Sequence, residues 1–193
     1  MIPFIVGFAG PSASGKTTLC KKIHESLHDS LLLHLDDYFK KDTSVFPRLY
    51  GYKNWEVPSD LDLDLLHLNL SELKQGRTVQ LPKSDYGHFQ GYQGAGPSKL
   101  IIVEGFLLYH DPKVRNDIDL KFFIDVPEEV CLHRRLARMD FEKEDYCRRV
   151  VMPEWRKYGL PTKRFADVIL DGEEPIDRLM QKVLPYFSTR RLF

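Results

Sequence analysis

Eight consecutive residues, Gly10-Pro11-Ser12-Ala13-Ser14-Gly15-Lys16-Thr17, satisfy the pattern G-x-x-x-x-G-K-[ST] in full. A loop of this kind binds phosphate because its glycines let the backbone curl until successive N–H groups converge on the oxygens. Lys16 adds a full positive charge for the outer phosphates, and the Thr17 hydroxyl is a ligand for Mg²⁺. The pattern carries meaning only between a strand and a helix. Here the apolar run Phe4-Ile5-Val6-Gly7-Phe8 precedes it and a helix-compatible stretch beginning at Thr18 follows. A helix starting near Lys16 brings the positive end of its dipole to the same spot. Gly10, Ser12, Ala13, Ser14, Gly15, Lys16, Thr17 and Thr18 are therefore the expected nucleotide-binding set.

Carboxylates narrow the chemistry. Leu31-Leu32-Leu33-His34-Leu35 runs into Asp36-Asp37-Tyr38, and Leu100-Ile101-Ile102-Val103 runs into Glu104-Gly105. Ligands of open parallel sheets sit beyond the carboxyl ends of the strands, so both acids are expected to face the phosphates. Asp36 there can hold Mg²⁺, accept a proton from an attacking hydroxyl, or both. Glu104 matches the second metal-holding carboxylate of phosphate-binding-loop proteins, and Asp37 reads as a turn or helix cap. The guanine-reading pattern N-K-x-D is absent, which argues against a GTPase. Arg134, Arg135 and Arg138 fall on one probable helix, where arginines can close over the charge that spreads in phosphoryl transfer. Arg148 and Arg149 are weaker candidates for that role.

These groups must be positioned by the rest of the chain. Its 193 residues suffice for one domain over 1–193. The 28 basic and 28 acidic side chains balance, so no field favours nucleic acid or an acidic membrane surface, and a small-molecule partner is expected. Cys20, Cys131 and Cys147 fit neither a disulfide framework nor zinc spacing and read as reduced thiols. No signal peptide and no bilayer-length apolar run are visible, so the expected location is cytoplasmic. Near-continuous apolar runs predict buried strands over 4–8, 31–35, 100–104, 120–126 and 168–170. Helical patterns lie over 16–27, 61–74, 128–139, 144–158 and 176–186. The alternation predicts an α/β fold, a parallel sheet covered on both faces. Two aromatic- and glycine-rich stretches, 40–58 and 84–97, read as long loops of the kind that bind ligands or act as lids.

Taken in order, Gly10–Thr17, Leu35-Asp36-Asp37-Tyr38-Phe39, Asn54-Trp55-Glu56-Val57-Pro58, Val103-Glu104-Gly105-Phe106-Leu107-Leu108-Tyr109, Arg134-Arg135-Leu136-Ala137-Arg138 and Leu160-Pro161-Thr162-Lys163-Arg164-Phe165-Ala166-Asp167-Val168-Ile169 form a recognisable series. The series resembles the uridine kinase family of phosphate-binding-loop kinases, which also includes nicotinamide riboside kinases and phosphoribulokinases. The resemblance implies a three-layer fold with a five-stranded parallel sheet, helices on both faces and a mobile lid, here about 134–150. It implies ATP and Mg²⁺ as cofactors and transfer of the γ-phosphate to a primary hydroxyl, usually the ribose 5′-OH of a nucleoside.

By the same resemblance Asp36 is the catalytic base, Lys16 the phosphate lysine, and Arg135 and Arg138 the lid arginines. Thr17, Asp36 and Glu104 are the magnesium-side residues. Glu56 stands where the family usually has Asp, to accept from the ribose 2′- and 3′-hydroxyls, and Trp55 where an aromatic packs on the base. The expected acceptor-binding set is Asp36, Tyr38, Trp55, Glu56, Asp85, Tyr86, His88 and Arg135. The chain departs from the usual pyrimidine-reading pattern P-x-Y-D-F-x-x-H at Pro82-Lys83-Ser84-Asp85-Tyr86-Gly87-His88-Phe89, and the lid pattern E-R-G-R is replaced by Phe141-Glu142-Lys143-Glu144-Asp145. These departures leave open which base is read, and nicotinamide riboside or another small acceptor stands as an alternative to uridine or cytidine. A nucleotide-binding regulatory protein without transfer activity is the alternative from another class. The number of subunits is not legible.

Overall fold

The structure, a computed structural model, describes residues 2–27, 29–138 and 143–188. In chain order its strands are β1 (Phe4–Ala9), β2 (Ser30–His34), β3 (Arg48–Leu49), β4 (Tyr52–Lys53), β5 (Val79–Asp85), β6 (His88–Ala95), β7 (Leu100–Gly105), β8 (Leu120–Asp125) and β9 (Val168–Asp171). The helices are α1 (Lys16–Ser26), α2 (Leu63–Lys74), α3 (Pro112–Asp117), α4 (Glu128–Arg138), α5 (Glu144–Tyr146), α6 (Met152–Glu154) and α7 (Ile176–Ser188). The five apolar runs read from the sequence pair as one parallel sheet of order β2-β7-β1-β8-β9.

Alternate side chains of these strands enter two separate cores, which is why the runs are apolar without interruption. Val6, Phe8, Ile102 and Phe122 pack with Leu19 and Ile23 of α1 and Leu179 and Phe187 of α7. Ile5, Leu33, Ile101, Val103 and Phe123 pack with Leu66, Leu70 and Leu73 of α2 and with Trp155. Each such fully buried aliphatic side chain contributes about 1.5–3 kcal/mol. The leucines of α2 therefore fix that helix to the sheet despite their imperfect period. Asp62 caps α2 by accepting from the Leu65 N–H at 3.0 Å.

Register delivers the chemistry to one edge. His34 of β2 pairs with Glu104 of β7, and Ala9 of β1 pairs with Gly105. The three strand ends that carry the phosphate-binding loop, Asp36 and Glu104 thus finish side by side.

Two sequence expectations need correction. The 84–97 stretch is not a loop: it completes an antiparallel hairpin, β5 with β6. Its glycines serve the hairpin. Tyr86 and Gly87 both take positive φ (46° and 78°), as a tight two-residue hairpin turn requires. The 144–158 helix is also not uniform. After α5, wide π turns over Cys147–Val151 and Trp155–Gly159 flank α6, and a 3₁₀ segment over Leu160–Phe165 follows. Pro153 supplies no N–H to the ladder, and the Trp155 ring lies where a Gly159 Cβ would sit, 2.0 Å away. The 40–58 stretch is mainly turns, with the short β3–β4 pair inside it. Part of the expected lid, 139–142, lies outside the described residues, as does the last residue of the expected 128–139 helix. Among the described residues no helix is long and apolar enough to cross a membrane.

Candidate active site

The loop between β1 and α1 is shaped before any ligand arrives. Gly10 takes φ 151°, and a Cβ there would stand 2.4 Å from the Ile124 carbonyl oxygen. Only glycine fits so close to a neighbouring backbone. Gly15 opens α1 in the left-handed region at φ 95°. Ser14 Oγ is buried and makes no hydrogen bond among the described residues, so one polar atom in the cradle waits for a partner. Lys16 is buried and its ammonium donates to the Pro11 carbonyl at 2.8 Å. Burial lowers its pKa, with Glu104 and Asp36 pulling the other way. An anionic polyphosphate would supply the missing acceptor for Ser14 and the counter-charge for Lys16.

The acids stand opposite. Glu104 Oε1 accepts from Thr17 Oγ1 at 2.9 Å and lies 2.8 Å from His34 Nδ1. Burial alone would raise the Glu104 pKa, but the His34 bond, Lys16 and the Thr17 hydroxyl together hold it below the usual range. Gly105 follows because a Cβ there would be 2.2 Å from the Leu35 Cβ. That close approach lets the turn Leu35–Tyr38 fold over the end of β7 and present Asp36. Its pKa is pushed up to about 6, first by desolvation among the cleft walls, then by the Glu104 charge, with Lys16 and His34 opposing. The Asp36 side chain faces the open cleft, so water there screens part of this effect.

Thr17, Asp36 and Glu104 offer hard oxygen donors of the type Mg²⁺ takes. Among the described residues no group of three His, Cys, Asp or Glu forms a metal cage by itself.

A cleft of about 1130 Å³ brings together Ser12, Ala13, Lys16, Thr17, Asp36, Trp55, Glu56, Tyr86, Glu104, Arg135 and Arg138. Glu56 is aimed by its own neighbour: its N–H donates to Asn54 Oδ1 at 3.0 Å. Its carboxylate accepts from Arg135 Nη2 at 3.4 Å, joining the two sides of the cleft. The Trp55 ring is fixed edge-on by Phe39, Phe46 and His88 at 5.2, 5.0 and 5.5 Å.

Other expected residues lie elsewhere. Tyr38 is buried against α2, where its hydroxyl accepts from Asn69 Nδ2 at 3.1 Å, because the 3₁₀ turn points it inward. Asp85 and His88 face each other across the hairpin ladder and do not line the cleft, although His88 buttresses Trp55. Thr18 is exposed on the first turn of α1. Arg134 is spent on the Gly172 carbonyl at 2.9 Å, and Arg148 on Glu144 and Glu129. Asp37 is no cap: its Oδ1 accepts from Ser84 N at 2.8 Å and from Ser84 Oγ at 3.0 Å, tying the hairpin to the turn that carries Asp36.

Sequence reasoning missed the site roles of His34, Ser84 and Tyr146; the Tyr146 ring stands 5.4 Å from that of Tyr52, an aromatic of the 40–58 stretch read as a binding loop. Aligning the ends of the 31–35 and 100–104 runs would set Leu35 beside Glu104; the observed register is shifted by one residue and sets His34 there.

Comparison with known proteins fits this geometry. Residues 5–174 match the model of the phosphoribulokinase / uridine kinase family. A uridine kinase of Ligilactobacillus salivarius is 33% identical over 198 residues, covering 94% of this chain and 92% of that protein. Uridine kinase-like protein 3 of Arabidopsis thaliana is 33% identical over 199 residues, again 94% of this chain but 42% of the relative, so the chain spans less than half of that protein. Among solved structures, a possible uridine kinase from Bacillus stearothermophilus superposes with a TM-score of 0.62 at 20% identity, covering 89% of this chain and 90% of that one. Phosphoribulokinase from Rhodobacter spheroides gives 0.65 at 12% identity, covering 90% and 74%. At those identities the two structures speak for the fold. A phosphate cradle, two strand-end acids and a match over nearly the whole chain lead to one conclusion: the chain belongs to the phosphoribulokinase/uridine kinase family.

Proposed function

We propose that this chain phosphorylates the 5′-hydroxyl of a ribonucleoside, uridine or cytidine, using ATP and Mg²⁺. The observation that carries this reading is the shared cleft, whose lining brings Lys16, Thr17, Asp36 and Glu104 together with Trp55 and Glu56. The phosphate cradle Gly10–Thr17 holds the nucleotide tail. Thr17, Asp36 and Glu104 would hold magnesium, which when bound neutralises charge on the β- and γ-phosphates. Glu56 accepts from the vicinal ribose hydroxyls, and Trp55 offers its face to a flat ring. Asp36 orients the acceptor hydroxyl and takes its proton as the phosphoryl group leaves. A carboxyl with a pKa near 6 is better matched to that role at neutral pH than an ordinary aspartate. Lys16 and Arg135 stabilise the spreading charge, and Arg138, exposed at the end of α4, closes with the lid to exclude water.

A second reading has its own support. Asp85 and His88, the remnants of the pyrimidine-reading pattern, lie outside the cleft lining, while the rings of Phe39, Tyr52, Trp55, Tyr86 and Tyr146 belong to it. That favours a flat ribosyl acceptor such as nicotinamide riboside over a base read by hydrogen bonds. ADP release measured with uridine, cytidine, nicotinamide riboside, adenosine, ribulose 5-phosphate, pantothenate and glycerate separates these readings. Turnover with uridine or cytidine supports the first, and turnover confined to nicotinamide riboside supports the second. A signal confined to the last three compounds overturns both. ATP consumption independent of every acceptor would leave a nucleotide-binding protein without transfer activity.

A further inference from the structure

A second cavity, about 460 Å³, lies on the other side of the segment that carries Trp55 and Glu56. Leu49, Val57 and Pro58 give it an apolar wall, and Asn54 and Glu154 give it polar groups. Glu154 is only 9% exposed, yet its carboxylate makes no hydrogen bond or ion pair among the described residues. Lys157, also on the cavity lining, senses the Glu154 charge, but it is exposed and its ammonium lies over the Tyr158 ring at 4.6 Å. A carboxylate on a cavity wall, whose neighbouring ammonium is turned to a tyrosine ring, favours a cationic guest. A single carboxylate makes a poor metal cage, whereas an apolar wall beside it suits an organic body. The volume falls within the range of small-molecule sites. Glu154 also sits between the two π turns, Cys147–Val151 and Trp155–Gly159, and such turns are frequent at functional sites.

A hydrogen bond links this cavity's wall to the active cleft. Asn54 is buried, takes its own N–H to the Pro47 carbonyl at 2.8 Å, and accepts the Glu56 N–H on its side chain. Anything that seats against Asn54 therefore bears on the aim of Glu56. We infer that this cavity is a regulatory site for a small organic cation with an apolar body, coupled to acceptor binding through Asn54 and Glu56. The cavity stands on its own geometry, and only the coupling rests on the kinase reading.

The two tryptophans, Trp55 and Trp155, directly follow Asn54 and Glu154 in the chain, so intrinsic fluorescence reports on the cavity without turnover. Benzylammonium chloride titrated into the whole chain is expected to give a saturable change, with benzyl alcohol, the neutral analogue, giving none. Glu154→Gln should weaken binding about tenfold or more. Leu49→Phe, which narrows the cavity and keeps the carboxylate, should weaken it too. Saturating benzylammonium should change the acceptor KM by about fivefold or more and then plateau, with the ATP KM shifted less. No saturable signal, equal binding by folded Glu154→Gln and the parent, or an acceptor KM that rises without limit would overturn the proposal. The last outcome would place the cation in the acceptor site. Failure of the fluorescence arm leaves the kinase reading standing, and absence of turnover leaves the fluorescence arm readable.

Discussion

Replacing Asp36 by Asn should make the ligand-free protein more stable while removing its activity. The carboxyl has a pKa of about 6 in the fold against 3.8 when unperturbed. A group whose folded pKa is raised costs stability once it ionises. The cost is absent below about pH 3.8, grows as pH rises toward 6, and is constant above that. Two units correspond to about 3 kcal/mol. Because the side chain faces the open cleft, solvent screening cuts this to about 1–1.5 kcal/mol. For a chain of this size that is a Tm increase of about 3–5 °C for Asp36→Asn at pH 8, shrinking to nothing near pH 3.5. Turnover on the best acceptor should fall about 10²–10⁴-fold, the usual worth of a positioned base. The assay is paired: thermal melts of both proteins across pH without nucleotide, and ADP release at pH 8. An Asn variant that melts at or below the parent at pH 8 would refute the account of Asp36 as a desolvated charge. Near-normal turnover would remove it as the base.

Other substitutions test other parts of the site and the frame. Lys16→Ala should lower turnover about 10²-fold or more, with an unchanged far-ultraviolet circular dichroism spectrum. Trp55→Ala should raise the acceptor KM about tenfold while the ATP KM stays within about twofold, measured by initial rates with one substrate saturating. His34→Ala removes one of two side chains that fix Glu104 Oε1, so the carboxylate is aimed less well and the Mg²⁺ concentration needed for half-maximal rate should rise, an effect that added salt does not mimic. Leu70→Ala empties a fully buried position under the sheet and should cost about 2–5 kcal/mol in urea unfolding.

The sheet was legible because buried parallel strands leave an unbroken apolar trace, and all five runs were found to within a residue or two. The phosphate cradle was legible because its glycines answer to steric demands that no other residue meets. The hairpin β5–β6 was not. Its outer face is exposed and polar, with Lys83, Asp85, His88 and Gln90 along it, so the glycines of its turn and β6 dominated the pattern. Residues that act at a distance in sequence were equally silent. Ser84 meets Asp37 across 47 positions and His34 meets Glu104 across 70, and no local spacing encodes either contact. Tyr38 entered the expected acceptor set through the family resemblance, but the 3₁₀ turn sends it inward, away from the direction of Asp36.

Strand β2 lies at the margin of the sheet, bonded to β7 alone and half-covered along most of its length. The cradle grows instead from β1, flanked on both sides. Fraying at a margin takes less free energy than melting the whole. On gentle heating the turn that presents Asp36 should therefore slip first, leaving a molecule that still grips nucleotide but no longer performs transfer. Thermal inactivation and loss of the fold become separate events, and the difference between them is a property of one five-residue ribbon.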